Sequence, residues 1–123
     1  VHGGVPVHVS DHGTLRGSWV MTSGLANWPH EVVARVQAAG LHLRTWGDGY
    51  GYLMVATGRA EAMVDPEAAV WDVAPMPLIL AEAGGRFTST GGAEGAHHGS
   101  GVGSNGAVHD ALLELLADPG LPA

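Results

Sequence analysis

The stretch VWDVAPMPLILAEAGG, Val70 to Gly85, constrains the fold of this chain more than any other. From Val73 to Ala83 its one charged residue is Glu82, and a helix that is apolar almost all round has to be buried among other elements. Gly84 and Gly85 stop such a helix, and RFTST, Arg86 to Thr90, reads as a strand immediately after it. A buried helix that turns straight into a strand points to layered α/β architecture.

The remaining elements fit that pattern. RGSWVMTSG, Arg16 to Gly24, reads as a strand between glycines. Pro29 suits a first helical position, Val32, Val33 and Val36 recur at helical spacing over His30 to Ala39, and Gly40 supplies the stop. LHLRTW, Leu41 to Trp46, alternates briefly as a strand and runs into the glycine-broken loop GDGYG. YGYLMVATG, Tyr50 to Gly58, is expected to be a short buried helix, and AEAMV, Ala60 to Val64, a strand ending at Asp65-Pro66. Gly91 to His98 reads as a surface loop and GSGVGSN brings in a last strand. Asn105 is placed to cap a helix over Gly106 to Ala117, with Val108, Leu112, Leu115 and Leu116 on one face. Strands alternating with helices give an α/β layer structure, expected as one domain over residues 1–123.

Composition narrows the function classes. Twelve acids against five Lys and Arg, with no basic stripe interleaved with aromatics, argue against a nucleic-acid partner. The absence of cysteine excludes disulfides and thiolate metal sites, and no apolar stretch is long enough to span a bilayer. A cytoplasmic protein without a membrane partner is the expectation. The eight histidines show no zinc-ligand spacing, and no G-x-S-x-G elbow is present. The opening VHGGVPVHVS reads like a chain entered midway, so a piece of a longer protein is expected.

Three acids stand out. Asp48 and Asp65 each follow an expected strand, where ligand-contacting residues of α/β sheets gather, and Asp72 precedes the apolar helix. Each has a plain reading: Asp72 as a helix cap, Asp48 as a turn former, Asp65 before Pro66 as a strand stop. The other reading is a metal or phosphate site, since a helix start favours anions. One carboxylate does not hold Mg²⁺, which takes octahedral oxygen coordination, so a metal site needs further acids.

Taken together, WGDGYGYLMVATGRAEAMVDP, WDVAPMPLILAEAGGRFTSTGG and GVGSNGAVHDALLELL, in this order, resemble the C-terminal half of the inositol-monophosphatase superfamily of Mg²⁺-dependent, Li⁺-sensitive phosphatases. The resemblance covers nearly the whole chain, and WGD with YGYLMVATGRAE is closer to its histidinol-phosphatase branch. It implies an α/β fold with a layered mixed sheet flanked by helices, that Asp72 is a metal ligand, that Asp65 contacts the substrate beyond the phosphate, and that Gly47, Asp48 and Gly49 form the substrate loop, with Asp48 facing a cationic amine. Trp71 would be a packing residue.

The family's other metal ligands, a Glu and an Asp-Pro-Ile/Leu-Asp-Gly-Thr segment, belong to an N-terminal half without a counterpart here, so no catalytic set is complete in this chain. Pro75 and Pro77 also depart from the small residues of relatives. The implied activity is Mg²⁺-dependent hydrolysis of a small phosphorylated substrate, histidinol phosphate first and inositol or sugar phosphates second, by a full-length homodimer. The isolated piece is expected to be inactive. A non-catalytic module that binds an anion or a partner is the reading from another class.

Overall fold

The computed structural model describes residues 6–45 and 48–118, with no side-chain placement for residues 48 and 49. Five strands form one mixed sheet: β1 (Trp19–Thr22), β2 (His42–Thr45), β3 (Ala62–Asp65), β4 (Arg86–Thr88) and β5 (Gly101–Ser104). Their order is β2-β1-β3-β5-β4. The first three run parallel, with Trp19 opposite His42 and Val20 opposite Ala62, while β5 is antiparallel to both β3 and β4. The carboxyl ends of β1, β2, β3 and β4 therefore share one rim of the sheet, together with the start of β5.

Helices cover both faces, and the side-chain period of two decides which residue meets which layer. Val20 in β1 with Ala62 and Val64 in β3 face α1 (His30–Ala38) and α5 (His109–Leu116), packing with Trp28, Val32, Val36, Leu112 and Leu116. Met21 and Met63 point the other way, into a cluster with Tyr52, Val55, Leu80 and Phe87. That second face is covered by α2 (Asp48–Ala56), α3 (Val70–Val73) and α4 (Met76–Glu82). The α/β layers expected from the pattern are present, and so is the mixed sheet that the resemblance implies. Among the described residues no helix is long and apolar enough to cross a membrane.

The glycine pair after α4 has two separate causes. Gly84 turns the chain at φ +89°, a left-handed conformation that side chains resist. At Gly85 a Cβ would run into the carbonyl oxygen of Ser104, because the chain enters β4 directly against β5. The opposite rim is closed by polar clamps: Glu61 accepts the Trp19 N–H at 2.7 Å and the Ser10 hydroxyl at 3.0 Å. Asn105 donates to Ser10 at 3.1 Å and to the His12 carbonyl at 2.8 Å.

Several element boundaries differ from expectation. Pro29 stands just before α1 with ψ 138°, so the helix opens at His30 rather than at the proline. Asn105 does accept the Val108 N–H at 3.2 Å, but Gly106, at φ +84°, holds a turn and α5 starts only at His109. The largest change is the single helix expected from Asp72 onward, which is two helices. Pro75 and Pro77 lack the N–H groups that a continuous helix would bond to residues 71 and 73, so α3 stops at Val73. After a turn, α4 begins with Pro77 in its first turn, where an N–H has no partner in any case.

Candidate active-site cavity

At the rim where β1 and β3 end lies a cavity of about 160 Å³, lined by Ser23, Tyr52, Asp65, Glu67, Ala68, Asp72 and Val73. Asp65 closes β3 and is only 7% exposed, against Ser23 just after β1. Its Oδ1 accepts the Ser23 N–H at 3.2 Å and its Oδ2 the Tyr52 hydroxyl at 3.1 Å. Each carboxylate oxygen has a second acceptor direction left over. Burial, and then the neighbouring Asp65 charge, push the Tyr52 phenol well above its ordinary value, so it stays protonated and can only donate to Asp65.

Asp72 sits differently from the reading of it as a helix cap. It is the third residue of the four-residue α3, its N–H bonds the Ala69 carbonyl at 3.0 Å, and no side chain caps that helix. Its carboxylate has no hydrogen bond or ion pair among the described residues and is exposed at the cavity. Trp71, expected to pack, is instead 79% exposed, because the short α3 turns Val73 rather than its neighbour into the core. With Leu78, 65% exposed on α4, it leaves apolar surface on this side of the molecule.

The structure thus brings Asp65 and Asp72 to one cavity. Asp48 and Gly49 are not loop residues: they open α2, while Gly47 and the side chain of Asp48 lie outside the described residues. Glu67 and Tyr52 line the cavity without having been singled out. The signal for Tyr52 was hidden because its segment is apolar throughout, so no period told the polar tip from the core. Glu67 had a signal in its place two residues after Asp65.

Three acids and no basic side chain line this cavity among the described residues. A phosphate monoester would be repelled there unless cations offset the carboxylates, and a divalent ion or an amine-bearing substrate does so. As a donor Asp72 fits Mg²⁺, being an unpartnered hard oxygen ligand at the cavity. It does not fill the coordination shell: among the described residues no group of three His, Cys, Asp or Glu side chains is placed to hold a metal.

Against this background, the inositol monophosphatase family model matches residues 5–119. The chain is 35% identical over 114 residues to the histidinol-phosphatase of Streptomyces coelicolor, which covers 89% of this chain and 43% of that protein. The solved Thermotoga maritima IMPase superposes with a TM-score of 0.84 at 25% identity, over 93% of this chain and 46% of that one. A Ca-bound IMPase family protein from Staphylococcus aureus shares the fold at a TM-score of 0.83 and 19% identity, over 97% of this chain and 48% of that one. The chain belongs to the inositol monophosphatase family, and it spans less than half the length of these relatives.

Proposed function

We propose that these residues serve a Mg²⁺-dependent phosphatase that hydrolyses histidinol phosphate to histidinol and phosphate, as part of a chain longer than the one described. The observation that carries this reading is the shared cavity of Asp65 and Asp72, one acid fixed by two donors and one left free. Membership in the family and the histidinol-phosphatase relative support it. The Ca-bound relative supports a divalent ion in this fold.

In this reading Asp72 holds one metal ion, together with ligands from outside the described residues. Bound Mg²⁺ supplies a water made nucleophilic at neutral pH and offsets charge on the leaving oxygen. Asp65 reads the alcohol portion of the ester, and Asp48 with Gly47 and Gly49 completes that side. The acidic lining selects a cationic alcohol over a neutral one, because an ammonium group finds carboxylate acceptors where a phosphate-only contact would be repelled.

Replacing Asp65 by Ala or Asp48 by Thr in the complete phosphatase should shift relative rates on histidinol phosphate and inositol phosphate. Unchanged relative rates would contradict the assignment. The exposed Trp71 and Leu78 favour a second reading, in which this side docks a partner, including a second copy of the complete enzyme. Sedimentation of the complete protein tests it, a monomer at micromolar concentration arguing against the homodimer.

A further inference from the structure

Tyr52 has a place in this site that neither the family match nor the acid pattern assigns. Its ring is 1% exposed, tilted against Phe87 at 5.8 Å between centroids. Beneath it β5 presents two glycines: a Cβ at Gly101 would stand 2.8 Å from the Tyr52 hydroxyl, and one at Gly103 would stand 3.0 Å from the ring. β5 therefore leaves room for this phenol at the rim, aimed from α2 at the end of β3. Its single proton goes to Asp65 Oδ2 while Ser23 N–H occupies Oδ1. The carboxylate is held at both oxygens and keeps only acceptor capacity toward the cavity.

We propose that Tyr52 is a positioning residue that fixes the Asp65 carboxylate as an acceptor for the ammonium group of an amine-bearing phosphate monoester. This rests on the reading of Asp65 as the acid facing the alcohol portion. A buried phenol is a suitable holder: it donates one directed hydrogen bond, brings no charge of its own, and has no rotamer freedom to lose between Phe87 and the glycines of β5. A neutral hydroxyl of a polyol phosphate gains less from such a fixed carboxylate than an ammonium does, since hydrogen bonds with both partners charged are the stronger ones. Tyr52 thus sets how sharply the site separates amino-alcohol from polyol phosphates.

The test uses the complete Mg²⁺-loaded phosphatase and the kcat/KM ratio for histidinol phosphate over inositol phosphate. Tyr52→Phe keeps the ring and removes the donor, and should lower this ratio about tenfold, mainly through a raised KM for the amine substrate, as loss of one hydrogen bond to a charged group predicts. In an Asp65→Asn background the same replacement should leave the ratio where Asp65→Asn alone puts it, which a merely structural role would not produce. Gly101→Ala, whose Cβ would stand 2.8 Å from both the hydroxyl and the Phe87 ring, displaces the phenol without removing its donor and should lower the ratio in the same direction. If Asp65→Asn lowers the ratio while Tyr52→Phe and Gly101→Ala leave it unchanged, the role of Tyr52 is overturned and the reading of Asp65 stands. If Asp65→Asn itself leaves the ratio unchanged, the reading of the site falls with it.

Discussion

Asp72 and Asp65 line one cavity but are held differently. Asp65 is restrained by the Tyr52 hydroxyl and the Ser23 amide, whereas Asp72 is free of protein partners among the described residues, as suits a side chain that meets a metal ion. Asp72→Asn should therefore leave the thermal midpoint and circular dichroism of the complete phosphatase close to those of the parent. Mg²⁺ activation should weaken sharply, and normal Mg²⁺ dependence in the variant would refute the ligand role. The sequence singled out both acids, but it did not show how they are held. Asp65 follows directly from the end of an apolar run at Pro66, while the position of Asp72 within α3 depends on Pro75 and Pro77, whose effect on a helix is hard to place from sequence.

Between β4, β5 and α5 the joint is a buried histidine. The Thr88 hydroxyl donates to the Ser89 carbonyl at 2.8 Å, so it accepts from His109 Nε2–H at 2.8 Å, and Ser104 donates to Nδ1 at 2.6 Å. A neutral ring that donates at Nε2 and accepts at Nδ1 satisfies both hydroxyls. Burial, and then the positive charge of Arg86, lower the His109 value from 6.5 to about 4, partly offset by Asp110. Between those values the unfolded chain binds the proton and the native one does not. The contribution of neutral His109 is therefore complete above pH 6.5 and is lost as pH falls toward 4. Thermal midpoints measured across this window should fall less steeply in His109→Gln than in the parent, and equal slopes would contradict the assignment.

The α4 to β4 turn makes a second prediction at this scale. Gly85→Ala should destabilise by about 1–3 kcal/mol, read from the shift in denaturant midpoint, because its Cβ meets the Ser104 carbonyl and backbone cannot step aside cheaply. Both glycines were visible as a stop signal in sequence. The need for Gly85 to be bare was not, since it comes from a strand sixteen residues further on. His109 left no sequence signal either, because only the sheet brings Thr88 and Ser104 to the two sides of its ring.

For the molecule as a whole, the order of strands and helices was legible because each apolar run is closed by glycine or proline, and the α/β layers follow from it, whereas the antiparallel placement of β5 does not. The site was legible only in part. Two of its acids, Asp65 and Asp72, lie in the specific motifs, Trp46 to Pro66 and Trp71 to Gly92, but the cavity itself arises from β1, α2, β3 and α3 meeting at one rim. The acids at that rim need cations to accept a phosphate ester, and the chain spans 43% of its histidinol-phosphatase relative, so its residues are read as one contribution to a larger centre.

Phosphate release from histidinol phosphate and from inositol phosphate by the complete phosphatase, titrated with Mg²⁺ and then with chelator, tests this most directly. The account predicts turnover that rises with Mg²⁺, is abolished by chelator, and favours histidinol phosphate. Equal turnover in excess chelator, or a preference for inositol phosphate, would contradict it.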